Sequence, residues 1–186
     1  FVTQNSTIEK KLNGEKEKIM GDPKVTGLRS AEFQVPDLKS ATKFYEDNWG
    51  LEVAAAGGDA VYLRGTGTAH HALVLREGGE KKLLAVNLAA DNKTAVDGLY
   101  EKAKGLGASV QAPKELGGPA GGYGFVFHDL HGRDYRILSD ITEHAEKPAA
   151  KDRPVKISHV VLNSPDREAQ SSQFIDLLGF KLSDRT

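Results

Sequence analysis

Six histidines and no cysteine bound the chemistry open to this chain of 186 residues. Without thiolates there is no disulfide, no thiolate metal site and no cysteine nucleophile. Metal chemistry would fall to imidazole and carboxylate. His70 and His71 stand side by side at the start of an apolar run, where strand alternation turns one inward and one outward. His128 and His131 flank the turn 129–132 and read as exposed turn residues. His159 opens the apolar run 160–162 and, taken alone, is a strand histidine. The loop 117–122 is rich in Gly and Pro, but no Lys-Ser/Thr follows it, so it is not a phosphate-binding loop. Phe44, Tyr45 and Trp49 cluster at helical spacing and read as core.

The elements that must position these residues are legible because one unit occurs twice. Residues 28–53, LRSAEFQVPDLKSATKFYEDNWGLEV, return at 157–182 as ISHVVLNSPDREAQSSQFIDLLGFKL. One constant offset sets Ser30 on His159, Pro36-Asp37 on Pro165-Asp166, Tyr45 on Phe174 and Gly50-Leu51 on Gly179-Phe180. Ala31, Phe33 and Val35 alternate with polar neighbours, as in a strand with one buried face. Pro then ends the ladder for want of an N–H, and Asp caps the helix that follows. Gly50 and Gly179 stand where a helix terminates in positive φ. An extended segment restarts at Leu51 and at Phe180. The unit is strand, capped helix, glycine stop, strand.

Two more strands follow the first unit, at 60–64 and 71–75, with Gly-rich turns between them. A second module repeats the order. Its first strand is 83–89, Asp91 or Asn92 caps a helix to about Leu106, and Gly107 stops it. Strands at 109–111, 123–128 and 134–138 complete it. The fold class is α+β, with tandem βαβββ modules able to close one sheet around a cleft.

The expected division is a polar tail at 1–24, a two-module domain at 25–142, a linker at 143–154 and an incomplete second domain at 155–186. The chain opens on Phe1, and Met20 would serve as an initiator, leaving the preceding residues as an expression remnant or a loose helix. Asn5-Ser6-Thr7 fits a glycosylation acceptor but has no secretion signal beside it. The tail 155–186 cannot bury its own core. It is expected either to dock on another chain or to continue past Thr186 by roughly 85 residues or more.

The formal net charge is −1 and the basic residues are scattered, so no nucleic-acid surface is indicated. No apolar run approaches the ~20 residues of a membrane span. Cytoplasmic location is the default expectation.

V-P-D-L, F-Y and G-L in the first unit, H-H-A-L-V-L at 70–75 and D-L-H-G-x-x-Y-R-I at 129–137 together resemble the vicinal oxygen chelate superfamily. That group includes glyoxalase I, bleomycin-resistance proteins and type I extradiol dioxygenases. A complete two-module domain, a linker and a third module opening I-S-H-V-V-L are most similar to the two-domain extradiol dioxygenases. The resemblance implies an N-terminal domain without catalysis. It also implies a C-terminal domain holding Fe(II), sometimes Mn(II), on two His and one Glu. In the first domain the corresponding positions are Ser30, His70 or His71, and Arg136. A hydroxyl, one imidazole and a guanidinium do not make a 2-His-1-carboxylate site, so this domain is expected to hold no metal. Glu32 beside Arg136 is either a buried ion pair in place of the metal or a surface pair. His159 takes the first ligand position of the third module, and its two partners are expected beyond Thr186.

The implied function is an extradiol ring-cleavage dioxygenase acting on a catecholic aromatic with O2, as a homo-oligomer. The alternatives are a small-molecule-binding protein of the bleomycin-resistance type and a glyoxalase-type metal-dependent lyase or isomerase.

Overall fold

Strand β1 (Gly27–Val35) sends Ala31 and Phe33 to one face of its sheet and Ser30 and Glu32 to the other. The computed structural model describes residues 22–148 and 150–184. The expectations about Asn5 and Met20 lie outside them. Helix α1 (Leu38–Trp49) starts at Asp37, whose carboxylate accepts from the Ser40 N–H at 2.9 Å and from its hydroxyl at 2.6 Å. It ends at Gly50 with φ +62°, a left-handed conformation that costs glycine nothing. Strands β2 (Glu52–Gly57), β3 (Ala60–Arg64) and β4 (Leu73–Glu77) complete the first module. The second comprises β5 (Lys82–Ala89), α2 (Lys93–Gly105), β6 (Ser109–Glu115), β7 (Tyr123–His128) and β8 (Asp134–Ser139). Asn92, not Asp91, caps α2.

All eight strands form one sheet in the order β2-β3-β4-β1-β5-β8-β7-β6. β1 runs parallel to β4 and β5 parallel to β8, while β1 and β5 pair antiparallel at the centre. The two modules therefore meet as near-symmetric halves. On the helix face Leu63, Leu73 and Leu75 pack with Leu38, Ala41 and Tyr45 of α1. In the other half Val96, Leu99 and Ala103 of α2 pack on Val86, Leu88, Phe125, Phe127 and Ile137. Each fully buried large side chain contributes roughly 1.5–3 kcal/mol. The aromatic cluster of α1 departs from expectation. Phe44 and Trp49 are 52% and 55% exposed, because the helix turns only its Leu38–Ala41–Tyr45 stripe to the sheet.

The second copy of the unit folds only in part. Helix α3 (Arg167–Leu178) has the same caps, with the Asp166 carboxylate accepting from the Ala169 N–H at 3.0 Å and Gly179 at φ +71°. Its Leu177 and Leu178 are buried against α2 and the second module, and Phe174 meets the Tyr135 ring edge-on at 5.1 Å. The tail thus docks on its own chain. Residues 160–162 and 180–182, expected as strands, form none, since they join no ladder among the described residues. Val161 is left 81% exposed.

Between β8 and α3 the described residues of 143–154 lie along the β3–β4 loop. His144 N–H donates to Thr68 at 2.8 Å, Lys147 N–H to Thr66 at 2.8 Å, and Gly67 N–H to Val155 at 3.0 Å. Gly65 and Gly67 are needed for this approach: a Cβ there would stand 2.3 Å from the Pro154 carbonyl oxygen and 2.7 Å from that of Val155. Among the described residues no helix is long and apolar enough to cross a membrane.

Candidate functional site

The face of the sheet opposite the helices carries the polar residues. Glu32 sits at its centre with 3% of its side chain exposed, and its two oxygens are divided between two guanidinium groups. Arg76 of β4 donates through Nε to Oε1, and Arg136 of β8 donates through Nη1 to Oε2. Arg76 also reaches Asp59 through Nη1 at 3.1 Å. Burial alone would push the Glu32 carboxyl up. The charge of Arg136, the hydrogen bonds from both guanidinium groups and the charge of Arg76 outweigh it and hold the pKa below the ordinary carboxylate range. The ion pair with Arg136 is therefore the buried one of the two expected alternatives. Arg76 is a second partner that sequence reasoning missed.

Beside this triad, Asn87 of β5 donates through Nδ2 to the Ser30 hydroxyl at 2.9 Å. Ser30 and Asn87 are directly paired across β1 and β5, and Asn87 and Arg136 across β5 and β8. These three form one cross-strand row over β1, β5 and β8. Expectation had put His70 or His71 there in place of Asn87. The signal for Asn87 was present as a lone polar residue inside the apolar run 83–89. A hydroxyl, an amide and a guanidinium do not fit a divalent metal, and the guanidinium brings positive charge where the cation would stand. Among the described residues no group of three His, Asp or Glu is arranged to hold a metal ion.

The histidine pair lies instead in the loop before β4, since the strand begins at Leu73 and not at His71. The rings do not alternate across a sheet. They meet, Nδ1 to Nδ1, at 3.0 Å. His144 from the segment 143–154 stacks on His70 with ring centroids 4.8 Å apart, and Tyr62 of β3 meets His71 edge-on at 5.1 Å. Burial, then the charges of His70 and Arg29, push the His71 pKa down to about 4, against the pull of Glu32. His70 is lowered too, by burial first and then by His144, Arg64 and Arg29. Both rings are neutral near pH 7.

The turn histidines are not free. His128 Nδ1 pairs with Asp134 at 2.9 Å, and His131 Nε2 meets the Ser164 hydroxyl at 2.8 Å, tying the β7–β8 turn to the third unit. Arg133 joins them by donating to Asp129 at 2.6 Å, to the Asn163 carbonyl at 2.8 Å and to Gln170 at 3.0 Å. His159 is exposed, with Nδ1 2.9 Å from the Ser158 hydroxyl. It lines a largely apolar groove of about 450 Å³ between β1 and the third unit, with Leu28, Tyr135 and Phe174.

The sequence model of the Glyoxalase/Bleomycin resistance protein/Dioxygenase superfamily matches residues 27–134, which is both modules through the start of β8. The chain belongs to that superfamily. The Mn(II)-bound glyoxalase from Novosphingobium aromaticivorans is 35% identical, with a TM-score of 0.83 over 86% of this chain and 55% of its own. A homoprotocatechuate 2,3-dioxygenase from B. fuscum is 25% identical, with a TM-score of 0.77 over 86% of this chain and 46% of its own. The corresponding enzyme from Arthrobacter globiformis, 23% identical with a TM-score of 0.77 over 88% of this chain and 52% of its own, shares the fold. The chain spans about half the length of these relatives. No curated protein sequence matches it. The α+β fold of tandem βαβββ modules is the superfamily fold, as read from the repeated unit.

Proposed function

We propose that the chain supplies the non-catalytic half of an Fe(II)- or Mn(II)-dependent extradiol dioxygenase that opens a catecholic ring with O2. Residues 25–142 are its N-terminal domain, and 155–186 begin the domain that carries the metal. The observation behind this reading is the set Ser30, Asn87 and Arg136, with Glu32 held between Arg76 and Arg136. A superfamily cleft so furnished repels a divalent cation, which moves the chemistry to another domain. The repeat then restarts with His159 in the place of Ser30, and His159 is the first ligand of that second site. When bound, the metal would hold the vicinal oxygens of the substrate and leave room for O2. The assembly is a homo-oligomer.

A second reading, a glyoxalase-type metal-dependent lyase or isomerase, is favoured by the 35% identity to the Mn(II)-bound enzyme. The test uses the protein isolated at native length from its source. Metal content is measured by mass spectrometry and O2 uptake with homoprotocatechuate, alongside turnover of a glutathione hemithioacetal. About one metal per chain, lost in His159→Ala, together with O2 uptake on the diol is the expected result. Metal with hemithioacetal turnover and no O2 uptake selects the second reading. A native-length protein with no metal overturns both.

A further inference from the structure

Strands β2 and β6 are the two edges of the sheet, and among the described residues no strand stands on the outer side of either. An open edge offers unpaired N–H and C=O groups to any strand that comes beside it, and proteins blunt such edges with proline and charge. β6 is blunted in this way by Pro113, Lys114 and Glu115. β2 is not. Residues 53–58 hold no charge and no proline, and Val53, Ala56 and Gly57 are exposed. Glu52, at the start of the strand, is already paired with Lys147 and Arg153.

Pairing phase fixes which backbone groups of β2 are free. The Leu63 carbonyl accepts from the Ala72 N–H, so Leu63 turns its polar groups toward β4. By alternation Tyr62 turns its own toward β2, and Val61 toward β4. Ala55 lies opposite Tyr62 and Ala56 opposite Val61. Ala55 therefore bonds into the sheet, and the N–H and C=O of Ala56 point outward. On the helix side of this edge a groove of about 600 Å³ runs between α1 and β3, lined by Val61, Lys39, Lys43 and Glu46. Lys43 is paired along its own helix with Asp47 at 2.7 Å. Lys39 stands near the start of α1 and Glu46 near its end. Trp49 and Val53, on either side of the Gly50 stop, are exposed.

We infer that two copies of this chain join edge to edge through β2, antiparallel about a two-fold axis, as one continuous sheet. A two-fold contact is self-complementary, so the run 53–58 meets its own image with no like charges opposed. The same axis sets α1 antiparallel to its image. It brings Lys39 of one protomer toward Glu46 of its partner, and the reverse, so each basic helix start faces an acidic helix end. Trp49 and Val53 leave water at the join. This names the surface behind the homo-oligomer proposed above and rests on that reading, but it needs neither metal nor O2.

Sedimentation equilibrium tests it. The chain is expected to reach twice its monomer mass at about 50 μM. Ala56→Pro removes the outward N–H and leaves the β2–β3 ladder whole, so it should keep the circular dichroism of the parent and weaken the dimer about tenfold or more. Lys39→Glu sets two carboxylates against each other at each end and should weaken it about threefold. Adding Glu46→Lys to the same chain reverses the sense of the pair and should restore the parent affinity. A chain that stays monomeric overturns the inference, and the homo-oligomer reading falls with it only if the native-length protein is monomeric too. A dimer untouched by Ala56→Pro overturns the edge contact while leaving self-association standing. A double charge variant that dimerises no more tightly than Lys39→Glu overturns the antiparallel placement of the helices.

Discussion

Arg136 donates to the Oε2 of Glu32 across 104 positions of sequence, and that contact joins the two modules through the cleft floor. Removing Glu32 leaves two guanidinium groups facing each other with no shared anion, whereas removing Arg136 leaves the carboxylate still bonded to Arg76. Breaking one side of a buried pair costs about 3–5 kcal/mol. Glu32→Ala is expected to fall in that range and Arg136→Ala about 1–3 kcal/mol below wild type. Urea unfolding of both variants decides it. A Glu32 variant no less stable than the Arg136 variant would show that the triad is not organised by its carboxylate.

Ser30, Asn87 and Arg136 are cross-strand neighbours on one face of the sheet. Ser30→His, Asn87→His and Arg136→Glu together place two imidazoles and a carboxylate on the cross-strand neighbours identified above. The triple variant is expected to bind about one Mn(II) per chain, and the parent none, by equilibrium dialysis with metal analysis. A triple variant that folds and stays metal-free would mean that these positions do not converge on one ion.

Acid should loosen the histidine cluster. The folded-state pKa of His71 lies near 4, below its unfolded value of ~6.5. The unfolded chain therefore takes up the proton first as pH falls. Stability is full above about pH 6.5 and is lost as pH drops toward 4, by on the order of 2 kcal/mol for a half-buried ring after solvent screening. His71→Gln should flatten that slope of the urea midpoint against pH. Equal slopes in both proteins would remove His71 from the account.

Gly65 and Gly67 let Pro154 and Val155 pack closely on the β3–β4 loop. Alanine at either position meets a backbone oxygen of Pro154 or Val155, which cannot turn aside as a flexible side chain would. Each substitution is expected to cost about 1–3 kcal/mol and to expose residues 143–155 to limited proteolysis. Gly57→Ala, with open space at its Cβ, serves as the control that should change neither.

The β7–β8 turn is the corresponding fastening for α3. Arg133→Ala removes the donors to Asp129, Asn163 and Gln170 at once. Amide exchange in α3 is expected to rise while exchange in α1 stays as it was. Unchanged protection of α3 would assign its docking to Leu177 and Leu178 alone.

The units themselves were legible because caps and glycine stops are local. Asp37 and Asp166, Gly50 and Gly179 act within a few residues of their own position, so the same letters produce the same helix ends twice. Superfamily membership followed from the order of those units. Ser30 and Arg136 were legible as poor metal ligands, whereas the position of Asn87 between them was not. Asn87 and Arg76 enter the site through pairing register, which no single strand records; for Asn87 a bulge in β1 at Arg29 helps to set it. The second copy marks the boundary most sharply. Residues 160–162 were expected as a strand yet form none among the described residues, whereas α3 forms with the same local caps as α1. Sequence alone therefore determined the hydrogen bonds made within a turn or two of chain. The tertiary structure decided those made across strands, including the carboxylate that holds two arginines where a cation would otherwise sit.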